Sequence, residues 1–150
     1  TLPTAALADV SILFRANVNG EYFWMMSGGS GTFTNSAALY NQIQAGNTDN
    51  NATENNVTMG AKATILKSIY VYFQTGPAAG KTWAFQFRQN VASAGPTCTI
   101  SNPGQSCNGS TTLLLANFDR IDTLVTPTGT PTASIGAISY LLFNTPRRIW

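Results

Sequence analysis

Asp119 and Asp122 are the closest pair of carboxylates in the chain. Two carboxyls in one site could hydrolyse a glycosidic bond, one as acid and one as base or nucleophile, or hold calcium through oxygen ligands. Arg120 stands between them, and Asp9, Glu21, Asp49 and Glu54 are scattered. On a strand, residues three apart point to opposite faces, so a shared site would need a turn. The plainer reading is solvated or ion-paired turn residues. Serine and cysteine nucleophiles need a base, and the chain has no histidine. No Ser-x-x-Lys stands beside a nucleophile turn. These residues point away from an enzyme and call for no cofactor.

Gly76-Pro77-Ala78-Ala79-Gly80-Lys81-Thr82 is similar to a phosphate-cradling loop but is one residue short of its spacing. Such a loop must lead into a helix whose first amides hold phosphate. Thr82 to Arg88 instead alternates as a strand, so the segment reads as a turn with Lys81 keeping an edge soluble.

Cys98 and Cys107 are the only cysteines. Without histidine they cannot close a tetrahedral zinc site. Asn102-Pro103-Gly104 between them is a strong turn signal, and a turn there sets the flanking strands side by side. A disulfide is favoured over two buried thiols, and with it an oxidising, extracellular compartment. Asn51, Asn56 and Asn108 each open an Asn-x-Ser/Thr acceptor pattern for glycosylation in a predicted loop. Asn, Ser and Thr are frequent enough here for such patterns to arise by chance.

Strands must position these groups. Ile65 to Phe73 and Trp83 to Arg88 are rich in β-branched and aromatic residues, and the second run alternates with period two. Joined by the Gly76–Gly80 break, they read as a β-hairpin. Tyr70 and Tyr72 share the face opposite Ile69, Val71 and Phe73. Further strands are expected at Val10 to Val18 and Glu21 to Met26, joined by the favoured Asn19-Gly20 turn. Others follow at Thr97 to Ser101, Thr111 to Ala116, Asp119 to Thr126 and Ser134 to Phe143. Ser36 to Ala45 reads either as a short helix, with Leu39 and Ile43 on one side, or as irregular chain. Gly46 to Thr58 reads as a long exposed loop. About eight short strands with Gly/Pro turns argue for a sandwich or barrel. A single-domain, two-sheet jelly-roll-like β-sandwich is the first choice and an immunoglobulin-like sandwich the second.

The composition agrees. The chain has 150 residues, of which 43% are hydrophobic but only 9% charged, with a net charge of +2. Charged residues usually make up about a quarter. Such a neutral, hydrogen-bonding surface suits secreted or assembled proteins. Arg147-Arg148 is the only adjacent basic pair, which argues against a nucleic-acid partner. No apolar run is long enough to cross a bilayer. Thr1 in place of Met fits removal of a leader, although a trimmed chain would look the same.

The run Lys67 to Val71, then Gly80 to Asn90, then Cys98-Thr99-Ile100 and Cys107 resembles jelly-roll-like β-sandwich modules of phage or virion surfaces and of secreted environmental structural proteins. The resemblance spans roughly residues 61–143. It implies a structural role and transfers no active-site residue.

The sequence thus divides into an arm (1–8), a sandwich domain (9–143) and a tail (144–150). The expected function is a non-enzymatic subunit that assembles with copies of itself into an extracellular filament or virion surface layer. Leu2, Leu7, Ile149 and Trp150, apolar residues near the two ends, are candidate subunit contacts. Free, they would expose hydrophobic surface, whereas docked on a neighbour they would add a strand or fill a groove. The alternative is a carbohydrate-binding module using Tyr22, Trp24 and Tyr70 against a sugar.

Overall fold

The computed structural model describes residues 21–26, 32–33, 36–43, 50–54, 58–61 and 63–143. They form ten strands: β1 (Glu21–Met26), β2 (Leu39–Asn41), β3 (Asn50–Asn51), β4 (Met59–Gly60), β5 (Thr64–Phe73), β6 (Thr82–Gln89), β7 (Ala92–Ser101), β8 (Ser106–Leu115), β9 (Arg120–Thr128) and β10 (Gly136–Phe143). The expected strand 10–18, its Asn19-Gly20 turn, the arm and the tail lie outside the described residues.

Two antiparallel sheets pack face to face. The first runs β1-β10-β5-β8, and the second runs β3-β2-β9-β6-β7, with β4 also on β9. Leaving out the short β3 and β4, successive described strands cross from one sheet to the other except at β6–β7, and β1 lies beside β10. That order is the jelly roll. An immunoglobulin-like sandwich does not pair its first strand with its last in this way.

Alternation explains the layers. Ile69, Val71 and Phe73 of β5 are buried, as are Ile138, Tyr140 and Leu142 of β10. Facing them are Trp83, Phe85 and Phe87 of β6, Ile100 of β7, and Ile121 and Val125 of β9. Phe73 meets Phe33, Trp83 and Phe85 with ring centroids 5.0, 5.5 and 5.5 Å apart, in the offset and edge-on arrangements that aromatic rings prefer. Across the core, the Thr123 and Tyr140 hydroxyls hydrogen-bond to each other. The alternation of β5 slips once. Lys67 is skipped in the ladders to both β10 and β8, a bulge that keeps Leu66 and Ile69 on the core side.

Four expectations are corrected. β5 and β6 are not a hairpin but belong to different sheets, so Gly76–Gly80 carries the chain over an end of the sandwich. Alternation had fixed each strand's buried face but not its partner. The cysteine segment is likewise a corner rather than a ladder: β7 edges one sheet and β8 the other. The helix reading of 36–45 fails because Leu39–Asn41 is a strand on β9, where Leu39 pairs with Val125. Within the supposed long loop, β3 pairs with β2 and Glu54 is buried.

Candidate functional site

The disulfide joins the two sheets. Cys98 sits on β7 and Cys107 on β8, their Cα atoms 5.7 Å apart and their sulfurs bonded. The corner is tight. A Cβ on Gly109 would lie 1.9 Å from the Thr97 carbonyl oxygen, so only glycine fits there. Asn102 Nδ2 donates to the Pro77 carbonyl at 2.8 Å, tying this corner to the β5–β6 crossing.

The two aspartates singled out above have separate partners. Asp119 lies in the β8–β9 turn, where its carboxylate accepts from Asn90 Nδ2 at 2.8 Å, from Ala116 N at 2.7 Å and from Gln89 Nε2. Asn90 first, then the Ala116 amide and Gln89, hold its pKa below the usual carboxylate range.

Asp122 is fully buried on the outer side of the second sheet, opposite Arg88 in the β6–β9 ladder. Arg88 donates from Nε and Nη2 to the two oxygens of Glu54, both at 3.0 Å, and Nη2 also donates to the Val91 carbonyl. The guanidinium lies 5.3 Å from the Tyr40 ring centre and 3.8 Å from Asp122 Oδ1. This forked pairing brings Glu54 onto the sheet, a contact between residues 34 apart in sequence. Among the described residues no N–H or hydroxyl hydrogen-bonds to either Asp122 oxygen. Burial first, and then the neighbouring Glu54 carboxylate, push Asp122 up to about 7. Arg88 and Arg120 pull it down by less. Asp122 near neutral pH can therefore carry a proton. Among the described residues, no group of three or more acidic, histidine or cysteine side chains could hold a metal ion.

The outer side of the first sheet is different in kind. Tyr70 and Tyr72 are 39% and 54% exposed beside a groove of about 300 Å³. Tyr70 lies between Ser139 of β10 and Asn108 of β8; Tyr72 lies between Ala137 and Ser106. In the backbone ladders Tyr22 pairs with the buried Leu142 and Trp24 with the buried Tyr140, whereas Tyr70 pairs with Ser139. Tyr70 occupies an outer position on β5. Sequence reasoning grouped these three and left out Tyr72, although period two already placed Tyr72 beside Tyr70.

Of the glycosylation candidates, Asn108 is exposed on β8 rather than in a loop, because the polar run after Cys107 pairs with β5. Asn51 is half-buried on β3 and accepts from Thr53 N at 2.8 Å. Asn56 lies outside the described residues, as do the candidate contacts Leu2, Leu7, Ile149 and Trp150.

One end of the sandwich gathers exposed apolar side chains that sequence reasoning missed: Val91 in the β6–β7 turn, Leu114 near the end of β8 and Phe118 in the β8–β9 turn, 47%, 66% and 88% exposed. Val91 and Phe118 take φ of 71° and 67°, where side-chain-bearing residues other than Asn and Asp are rare. Backbone hydrogen bonds hold both turns. Asn90 N donates to Arg120 O at 2.8 Å, and Phe118 N donates to Ala61 O at 2.7 Å. Among the described residues no helix is long and apolar enough to cross a membrane.

No protein-family profile and no curated protein sequence matches the chain.

Proposed function

We propose that this protein is a non-enzymatic structural subunit that assembles with copies of itself into an extracellular filament or a virion surface layer. The observation that carries this reading is the apolar end formed by Val91, Leu114 and Phe118. Apolar side chains grouped at one exposed end mark a surface suited to a partner. Two of them stand in strained backbone, which persists where surrounding structure enforces it and is concentrated at functional positions. Support of a weaker kind comes from the jelly roll, an architecture shared by capsid and lectin domains, and from the resemblance to phage and virion surface modules. The disulfide favours an oxidising compartment. The terminal residues Leu2, Leu7, Ile149 and Trp150 are a second proposed set of contacts.

The test is sedimentation and negative-stain imaging of the full chain beside Phe118→Asp. The wild-type chain should form oligomers or larger particles. A charge at an 88% exposed position should leave the fold intact and shift the protein toward monomer. A wild-type chain that stays monomeric at high concentration would overturn the proposal.

A further inference from the structure

We propose that the outer side of the first sheet carries a binding site for a neutral glycan, built on Tyr70 and Tyr72. The site is independent of self-assembly and lies on a different part of the molecule from the Phe118 end. β5 sits between β10 and β8, so both tyrosines stand inside a three-strand array rather than at a ragged edge. Each is flanked by short side chains: Ser139 and Asn108 for Tyr70, Ala137 and Ser106 for Tyr72. Cross-strand neighbours lie only about 5 Å apart, so bulky residues there would cover the rings. Short ones leave a groove of about 300 Å³ instead, the lower end of the range for small-molecule sites.

The chemistry of the array selects the ligand. A tyrosine ring presents a face of negative partial charge, which attracts the weakly positive C–H groups on the flat side of a sugar ring. Two residues apart on a strand, the rings are spaced by about 6.7 Å, comparable to the span of neighbouring sugar units. Ser106, Asn108 and Ser139 bring hydroxyl and amide groups, each able to donate and accept, as sugar hydroxyls require. Among the described residues that line it none is charged, so they offer no match to a phosphate, a sulfate or an acidic sugar. An apolar peptide would leave these polar groups unpaired.

The test uses the full chain produced without N-glycosylation, so that Asn108 is unmodified. Cellohexaose, xylohexaose, mannohexaose and maltohexaose are titrated by calorimetry and NMR, with heparin-derived and polygalacturonate oligosaccharides as acidic probes. At least one neutral probe should bind with a dissociation constant of about 1 mM or tighter. Tyr70→Ala and Tyr72→Ala should each weaken it about tenfold or more, with unchanged circular dichroism. Phe118→Asp should bind as wild type, which separates this site from the assembly surface. Four outcomes overturn the proposal: no neutral probe binds; only acidic probes bind; binding survives the double tyrosine variant; or the tyrosine variants lose self-association and no sugar binds, making the face an interface between copies.

Discussion

Asp122 illustrates what one buried carboxyl can do to a whole domain. Its environment favours the protonated form, with folded-state titration raised from 3.8 to about 7. In the unfolded chain it ionises near pH 4. Between those values the folded state binds more protons than the unfolded state, so stability falls as pH rises through that window. The loss is complete above about pH 7 and amounts to at most about 4 kcal/mol. Asp122→Asn keeps the shape and removes the titration. Urea unfolding at pH 5 and pH 8 should show wild type losing stability between the two, and the variant losing less. Equal slopes for both proteins would place the pH dependence elsewhere.

At the scale of elements, the β6–β7 turn is where local strain can be relieved by one substitution. Asn90 and Val91 both have positive φ, 51° and 71°, the pattern of a tight hairpin turn in which Asn-Gly is preferred. Holding a β-branched residue there costs about 1–2 kcal/mol, while glycine brings an entropic cost of about 0.5–1 kcal/mol. Val91→Gly should therefore stabilise the monomer by about 0.5–1 kcal/mol in urea denaturation, and weaken self-association if Val91 is a contact. The same turn shows what sequence could and could not tell. The face of each strand was legible, because Ile69, Val71 and Phe73 alternate with Tyr70 and Tyr72. Partnership was not, because alternation is the same whichever strand lies alongside. β8 was partly hidden for another reason. Its Ser106–Thr112 stretch is polar on both sides, since much of it lies at the rim of the sheet. β2 was hidden because three residues are too few to show a period, and β9 decides their conformation.

For the molecule as a whole, side-chain placement was legible where one strand decides it and illegible where the fold assembles it. The outer-face position of Tyr70 could be read from β5 alone. Glu54, Arg88 and Asp122 meet only because β6 pairs with β9 and the chain near β3 folds over that ladder. The disulfide was anticipated, but not that it would tie one sheet to the other. Closing so short a loop stabilises by about 2–3 kcal/mol in the chain-entropy model. Replacing both cysteines by alanine should lower unfolding free energy by about that much while leaving the far-ultraviolet spectrum that of a β protein. A change near zero would show that core packing alone holds the corner. The pairing of first strand with last has a mechanical consequence. Glu21 and Phe143 are directly opposite at one end of the β1–β10 ladder, so anything attached through these two points is anchored at neighbouring positions. Tension applied between them acts across the ladder rather than along it. The strands then peel apart one hydrogen-bonded pair at a time, like a zipper pulled from its open end, instead of sharing the load among all their bonds at once. Pulled at Glu21 and Phe143, the β1–β10 ladder would open from that end, while the disulfide-linked corner on the far side of the first sheet stays closed.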